Sequence, residues 1–310
     1  MKNHFSICLF ITCFLVLSLN VQAQSKNGFD LSNSSLPINE ILLGGHPRDG
    51  IPAIDKPKFI AAHKAKHLED HDRVLGVYYN NIAKAYPIRI LNWHEIVNDR
   101  FSVEPIVISF CPLCGTGTAF STQRHKAKTF GVSGLLYNSD LLLYDRETES
   151  LWSQIHAEAI SGKLQGESLA LIPVEHTSWA DWQSRYPKTR VLSPDTGYQR
   201  DYTRTPYADY DTSKDIYFPI SNVDRRYHPK EQVVGIEING RKKVYPFSEL
   251  ARSDGEITDT IAGEQITLLF NNQHKSVRIL NSKGNLMASL TGFWFAWMAF
   301  NPESEVYTAD

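Results

Sequence analysis

Apolar residues in this chain come in short runs. Gly, Asn, Asp and Pro separate them, and several runs alternate with polar positions. That spacing predicts strands more often than helices. Residues 74–77, 106–110, 128–132, 135–137, 141–145, 169–174, 233–236 and 266–270 all read this way. Helical spacing is rarer. It predicts a helix over 57–69, a short one over 92–98, and one at each of Trp179-x-x-Trp182 and Trp294-x-x-Trp297, both ended by a proline. Long helices do not alternate with strands, which disfavours a doubly wound or barrel α/β fold. The expectation is a mainly β fold with minor helices, a β-rich α+β architecture.

One stretch repeats. Val74-Leu75-Gly76-Val77 through Ala85-Tyr86-Pro87 aligns without a gap on Val233-Val234-Gly235-Ile236 through Val244-Tyr245-Pro246, and each copy carries a turn signal at Asn80-Asn81 or Asn239-Gly240. A buried-strand pattern follows in each copy, at 106–110 and 266–270, and the two Trp-x-x-Trp segments match further on. This pattern predicts two related lobes from an internal duplication: residues 74–192, and a shorter 233–310 lacking the cysteines. A Tyr-rich linker over 193–232 would join them and wrap the surface. Residues 24–73 would form an irregular segment and a helix.

Composition narrows the class. Over 310 residues, 32 Lys and Arg stand against 34 Asp and Glu, a formal charge of −2, which leaves no basic footprint for nucleic acid. Hydrophobic residues make up 42% and charged ones 21%, as in ordinary folded proteins. Residues 1–23 read as a signal peptide: Lys2 and His4, an apolar run from Phe5 to Leu19, then Val21-Gln22-Ala23. The expected location is periplasmic or extracellular, with no stable membrane span after cleavage. Cleavage would leave Cys111 and Cys114 as the only cysteines.

These two form Cys111-Pro112-Leu113-Cys114-Gly115 at the end of a strand, a turn that lets both sulfurs face one point. A closed structural zinc site needs two more ligands, and the chain has no second C-x-x-C. The matching positions in the second copy are Asn271 and His274, so the turn itself does not need cysteine. His94 is absent from the second copy together with the cysteines, which suggests it neighbours them as a third ligand. Two thiolates with an imidazole suit copper or zinc. The alternative is a thiol–disulfide oxidoreductase, with Cys111 attacking and Cys114 resolving. A third reading is a ligand-binding module whose disulfide pins a loop. Glu95, Asp145, Arg146, Trp152 and Gln154 form a polar–aromatic set unique to the first copy, a candidate ligand-binding wall. His125 and His156 are reserve ligands. His63, His67 and His71 fall at helical spacing but sit among charged residues and read as a solvated face.

The chain resembles an exported bacterial family filed as a domain of unknown function, number 3179. The resemblance rests on Gly50-Ile51-Pro52-Ala53, on Tyr86-Pro87 with His94-Glu95-Ile96-Val97-Asn98, on Cys111-Pro112-Leu113-Cys114-Gly115, and on Tyr144-Asp145-Arg146 with Ser150-Leu151-Trp152. It covers nearly all of the chain after residue 23. It implies membership of that family and brings no activity or catalytic residue with it.

Overall fold

The Asn-rich turns set the sheets in motion. Asn80 and Asn81 adopt φ of 49° and 60°, and Asn239 and Gly240 φ of 50° and 78°. Both central residues of a tight hairpin need that left-handed conformation, which Asn and Gly tolerate best. Strands Arg73–Tyr79 and Ile82–Pro87 pair across the first turn, and Gln232–Ile238 and Arg241–Pro246 across the second.

In the computed structural model, which describes residues 24–124 and 126–309, strands take up 40% of the chain and helices 11%. The strands gather into five sheets set out like the blades of a propeller, with a small ribbon of Ser25–Lys26 and Phe29–Asp30 beside them. The β-rich expectation with minor helices therefore holds. The two-lobe organisation does not form. The repeated hairpins become one blade each in a ring of five, and sheets from both halves of the chain pack on one another. Glu175–Ser178 packs against Ser276–Asn281, and Leu290–Phe293 against Thr116–Ser121. Arg73 donates to the carbonyls of His274 and Lys275, the latter at 2.9 Å. A local likeness between two blades is not a division of the chain, because the apolar faces are buried against other blades rather than within two separate cores.

What the aligned sequence does record is a packing detail. A Cβ at Gly76 would collide with the Trp182 ring, and one at Gly235 with Trp297. Each glycine lets a tryptophan lie flat on its hairpin, where Trp182 is 0% and Trp297 6% exposed. Burying such a ring stabilises the fold by roughly 1.5–3 kcal/mol or more. The tryptophans sit on helices Trp179–Arg185 and Trp294–Phe300, as their spacing predicts.

Two helix expectations fail. Over 57–69 the chain instead forms strand Phe59–Ala61, paired with Arg190–Leu192, and one 3-10 turn at Ala62–Lys64. Sheet pairing overrides the local helical pattern, and His63, His67 and His71 share no helix face. The other helix runs Ile88–His94, earlier than expected. Pro87 caps it at φ −62°, a value its ring fixes, and Ile96-Val97 open the strand Ile96–Phe101. No described helix is long and apolar enough to cross a membrane. Residues 1–23, read above as a signal peptide, lie outside the described residues, as does His125.

The segment 193–231 carries no strand, yet it does more than wrap the surface. Tyr207, Ile216, Phe218 and Ile220 pack onto the core that holds Cys111, Cys114, Phe130 and Trp152, and Tyr210 is buried there. Lys230 fastens this strap. Its ammonium donates to the carbonyls of Ser213 (3.3 Å) and Asp215 (2.5 Å) and lies 3.7 Å from the centre of the Tyr210 ring.

Candidate metal centre

Strands Glu104–Cys111 and Thr116–Ser121 form a hairpin whose connecting residues are 112–115. Gly115 closes it at φ 64°, a conformation glycine adopts without a Cβ penalty. Both cysteines are free of a disulfide and buried, 1% and 0% exposed. The disulfide of the pinned-loop reading is thus not present.

Asp140 joins them. It opens strand Asp140–Asp145 after the Asn138-Ser139 turn, whose residues take φ of 50° and 67°. The sulfurs of Cys111 and Cys114 and a carboxylate oxygen of Asp140 all lie within 4.8 Å of one another. The Cys111 sulfur also sits 3.8 Å from the Ser139 carbonyl.

The carboxyl group of Asp140 is under-served. Thr116 Oγ1 lies 2.6 Å from Gln154 Oε1 and 3.2 Å from Asp140 Oδ1. Gln154 Nε2 donates to Ser109 Oγ at 2.9 Å, which fixes the amide so that its oxygen faces Thr116. A hydroxyl has one proton, and the shorter contact takes it. Oδ1 then faces an oxygen lone pair, and buried Oδ2 has no partner of good hydrogen-bond geometry. Leaving such a group unmatched costs about 1–3 kcal/mol. A proton or a cation on the carboxyl relieves both atoms.

Electrostatics point the same way. Burial pushes the Asp140 carboxyl up to about 7, against a smaller downward pull from the Cys111, Thr116 and Cys114 side chains and the Ile155 backbone beside it. Burial raises the Cys111 thiol and raises Cys114 well above the ordinary thiol range. Burial, with the Asp140 charge alongside, pushes Glu95 up to about 8. Four acidic groups thus converge in a low-dielectric place. The nearby Lys230 already has carbonyl partners.

His94 is elsewhere engaged. Its Nδ1 lies 2.8 Å from the Pro52 carbonyl and its Nε2 2.6 Å from the Tyr202 hydroxyl, and the rings of Tyr198 and Tyr202 flank it. It does not belong to the group of ligand atoms around the cysteines. His94 ends its helix rather than starting one, and Glu95 follows at φ 57°. That kink turns the two adjacent side chains to different surroundings, Glu95 toward the acidic cluster and His94 toward the strap.

The proposed binding wall is dispersed. Asp145 and Trp152 are buried together: Asp145 accepts from Trp152 Nε1 at 3.0 Å and from Thr148 N at 2.6 Å, which locks a turn. Arg146 pairs with Asp55 at 2.6 Å and Asp49 at 3.8 Å. Gln154 alone of these touches the Asp140 network. His156 stacks edge-on against Phe300, away from the cysteines. Sequence reasoning missed Asp140 and the strap residues Tyr207 and Tyr210, whose phenols burial pushes up and which sit within electrostatic reach of the cysteines. The one signal for Asp140 was an acidic residue standing directly before three leucines, at the opening of a strand.

The fold and site together define a β-rich, propeller-like protein with a buried thiol–carboxyl cluster. Residues 48–289 match the family described as protein of unknown function DUF3179, and the chain belongs to it. No curated protein and no solved structure matches the chain.

Proposed function

We propose that the protein holds one metal ion between Cys111, Cys114 and Asp140. The observation that carries this reading is the convergence of three buried ligand atoms, two sulfurs and a carboxylate oxygen of Asp140, whose Oδ2 has no partner of good hydrogen-bond geometry. Two thiolates select a borderline or soft ion over magnesium or calcium. The carboxylate in the set favours zinc over copper(I), which prefers sulfur and imidazole. A divalent ion with two thiolates and a carboxylate leaves one negative charge, which Lys230 partly offsets. Three protein ligands leave a fourth position open, the pattern of zinc sites that act on a bound molecule. The metal would supply Lewis acidity there.

The thiol–disulfide alternative is disfavoured by position and charge. An attacking thiol needs a helix N-terminus or a cation to lower its pKa. Cys111 instead ends a strand, and burial raises it.

We place this site in an exported protein because of the apolar run from Phe5 to Leu19. Metal analysis of protein taken from its own compartment, with thiols counted and the N-terminus sequenced on the same sample, tests the reading. The expected result is one zinc per chain, lost in Cys111→Ser and in Asp140→Ala and kept in His94→Gln. Absence of metal after reconstitution with zinc and with copper, in a folded protein, overturns it.

A further inference from the structure

Glu95 is the odd group of this region. Its positive φ is uncommon for a residue with a side chain and costs on the order of 1 kcal/mol. Two backbone bonds hold it there: Glu95 N to Leu91 O at 2.7 Å, and Phe110 N to Glu95 O at 2.8 Å. The residue is 7% exposed, and among the described residues its carboxyl group has no hydrogen-bond partner. It lies outside the three-ligand cluster. Buried polar groups are nearly always matched, so a strained backbone that holds an unmatched carboxyl calls for a partner.

The partner's place is visible. Glu95 lines a cavity of about 250 Å³ whose other walls are mainly apolar: Ile51, Leu113, Val132, Leu136 and Phe218. Leu113 is the middle of the cysteine turn, so the cavity lies against the cluster. The strap contributes Tyr207 and Tyr217, and His46 completes the polar part of the lining. The size is below the usual drug-sized range of about 300–1,000 Å³, which limits an occupant to a small molecule. The surrounding charge selects its polar end. Burial pushes the Glu95 carboxyl up to about 8, and a cation beside it is the partner that offsets this burial and lets the carboxyl ionise, whereas an anion would only add to the charge of Glu95 and Asp140.

We propose that this cavity binds a small primary amine with an apolar body, its ammonium donating to Glu95 and its alkyl part packed on Leu113, Val132 and Leu136. The proposal rests on the metal reading only in naming what lies on the far side of Leu113. The amine site needs Glu95 and the apolar walls, and no ligand of the ion.

Calorimetric titration of the full chain with hexylamine, hexanol and hexanoate at pH 7 tests it. Hexylamine should bind, hexanol at least 10-fold more weakly, and hexanoate not detectably. Glu95→Gln should weaken hexylamine binding 10- to 100-fold and bring it close to hexanol, with an unchanged melting temperature as the check on folding. Glu95→Asp should restore part of the preference for the amine. Leu136→Phe, which narrows the cavity and keeps the carboxyl, should weaken hexylamine and hexanol alike. The Cys111→Ser protein should still bind hexylamine, so loss of metal and loss of amine binding are separable. Equal binding of hexanoate, no binding of hexylamine, or unchanged hexylamine affinity in Glu95→Gln overturns the proposal.

Discussion

Two hairpin turns of this protein share a backbone and differ in everything else. Cys111 pairs with Thr116 across one, and Asn271 with Ser276 across the other, with the same number of residues between. The last turn residue has positive φ in both: Gly115 at 64° and Lys275 at 44°. In the second turn Asn271 Oδ1 accepts from His274 N at 3.2 Å, and His274 Nδ1 meets Ser178 Oγ at 2.8 Å. That turn lies at the surface. The cysteine turn is buried under the strap and Phe293, whose N–H bonds the Cys114 carbonyl at 2.8 Å. A turn that forms from Asn and His does not need thiols for its shape. The difference between the two is therefore chemical: burial and Asp140 on one side, solvent on the other.

The sharpest break of this comparison is a transplant. Asn271→Cys with His274→Cys gives the surface turn both thiols without the carboxylate or the burial. In a Cys111→Ser, Cys114→Ser background, the graft should bind zinc about 100-fold more weakly than the native site, or worse, because it lacks one of the three ligands and loss of outer partners alone costs about 10- to 100-fold. Competition against a chromophoric chelator reads this directly. Equal affinity would mean that Asp140 and burial contribute nothing, and the metal reading would reduce to a bare pair of thiols.

A second difference concerns the histidine at each turn. His274 caps the surface turn. His176 lies under the cysteine hairpin, 6% exposed, 6.2 Å from the Phe110 ring centre. Burial, then the Arg73 charge, pushes His176 down to about 3. The unfolded chain takes up a proton near the usual 6.5 and the folded one does not. Stability from this group is complete above about pH 6.5 and falls as pH drops, by about 1.4 kcal/mol per unit, until the folded pKa is reached. Urea melts between pH 7 and pH 4 should show that slope. His176→Gln should flatten it by that amount. Equal slopes in the two proteins would remove His176 from the account.

Much of this architecture was legible in the chain, and the losses are instructive. Period-two runs gave the strands, Asn80-Asn81 and Asn239-Gly240 the tight turns, and the tryptophan spacing two helices. The number of blades was not legible, because which apolar face meets which is decided by contacts far apart in sequence. The repeat suggested two cores, whereas the sheets bury their faces on one another. At the site, Cys111 and Cys114 announced themselves by spacing. Asp140 did not, since an acidic residue after Asn-Ser reads as part of a turn. His94 was linked to the cysteines by shared absence from the second copy, a correlation that carries no direction. One residue of positive φ, Glu95, was enough to send neighbouring side chains to different places. The strap was invisible for a related reason: it has no period, and only the folded core shows that Tyr207, Tyr210 and Phe218 lie over the cysteines.

The smallest effects fall on the closing residue of each turn, and they have opposite signs. Gly115 has positive φ, and a Cβ there would stand 3.1 Å from the Phe293 ring. Gly115→Ala therefore meets backbone strain and a ring that is itself packed, and should destabilise the fold by about 1–3 kcal/mol. Lys275 adopts the same region of φ with a side chain, at the surface, where its ammonium bonds Asn272 Oδ1 at 2.6 Å. Lys275→Gly relieves the strain and gives up an exposed contact of little value, so it should stabilise by a few tenths to about 1 kcal/mol. Thermal melts of the metal-free protein separate the two signs. If both substitutions destabilise, the surface turn depends on its lysine, and it ceases to be a neutral reference for the buried one.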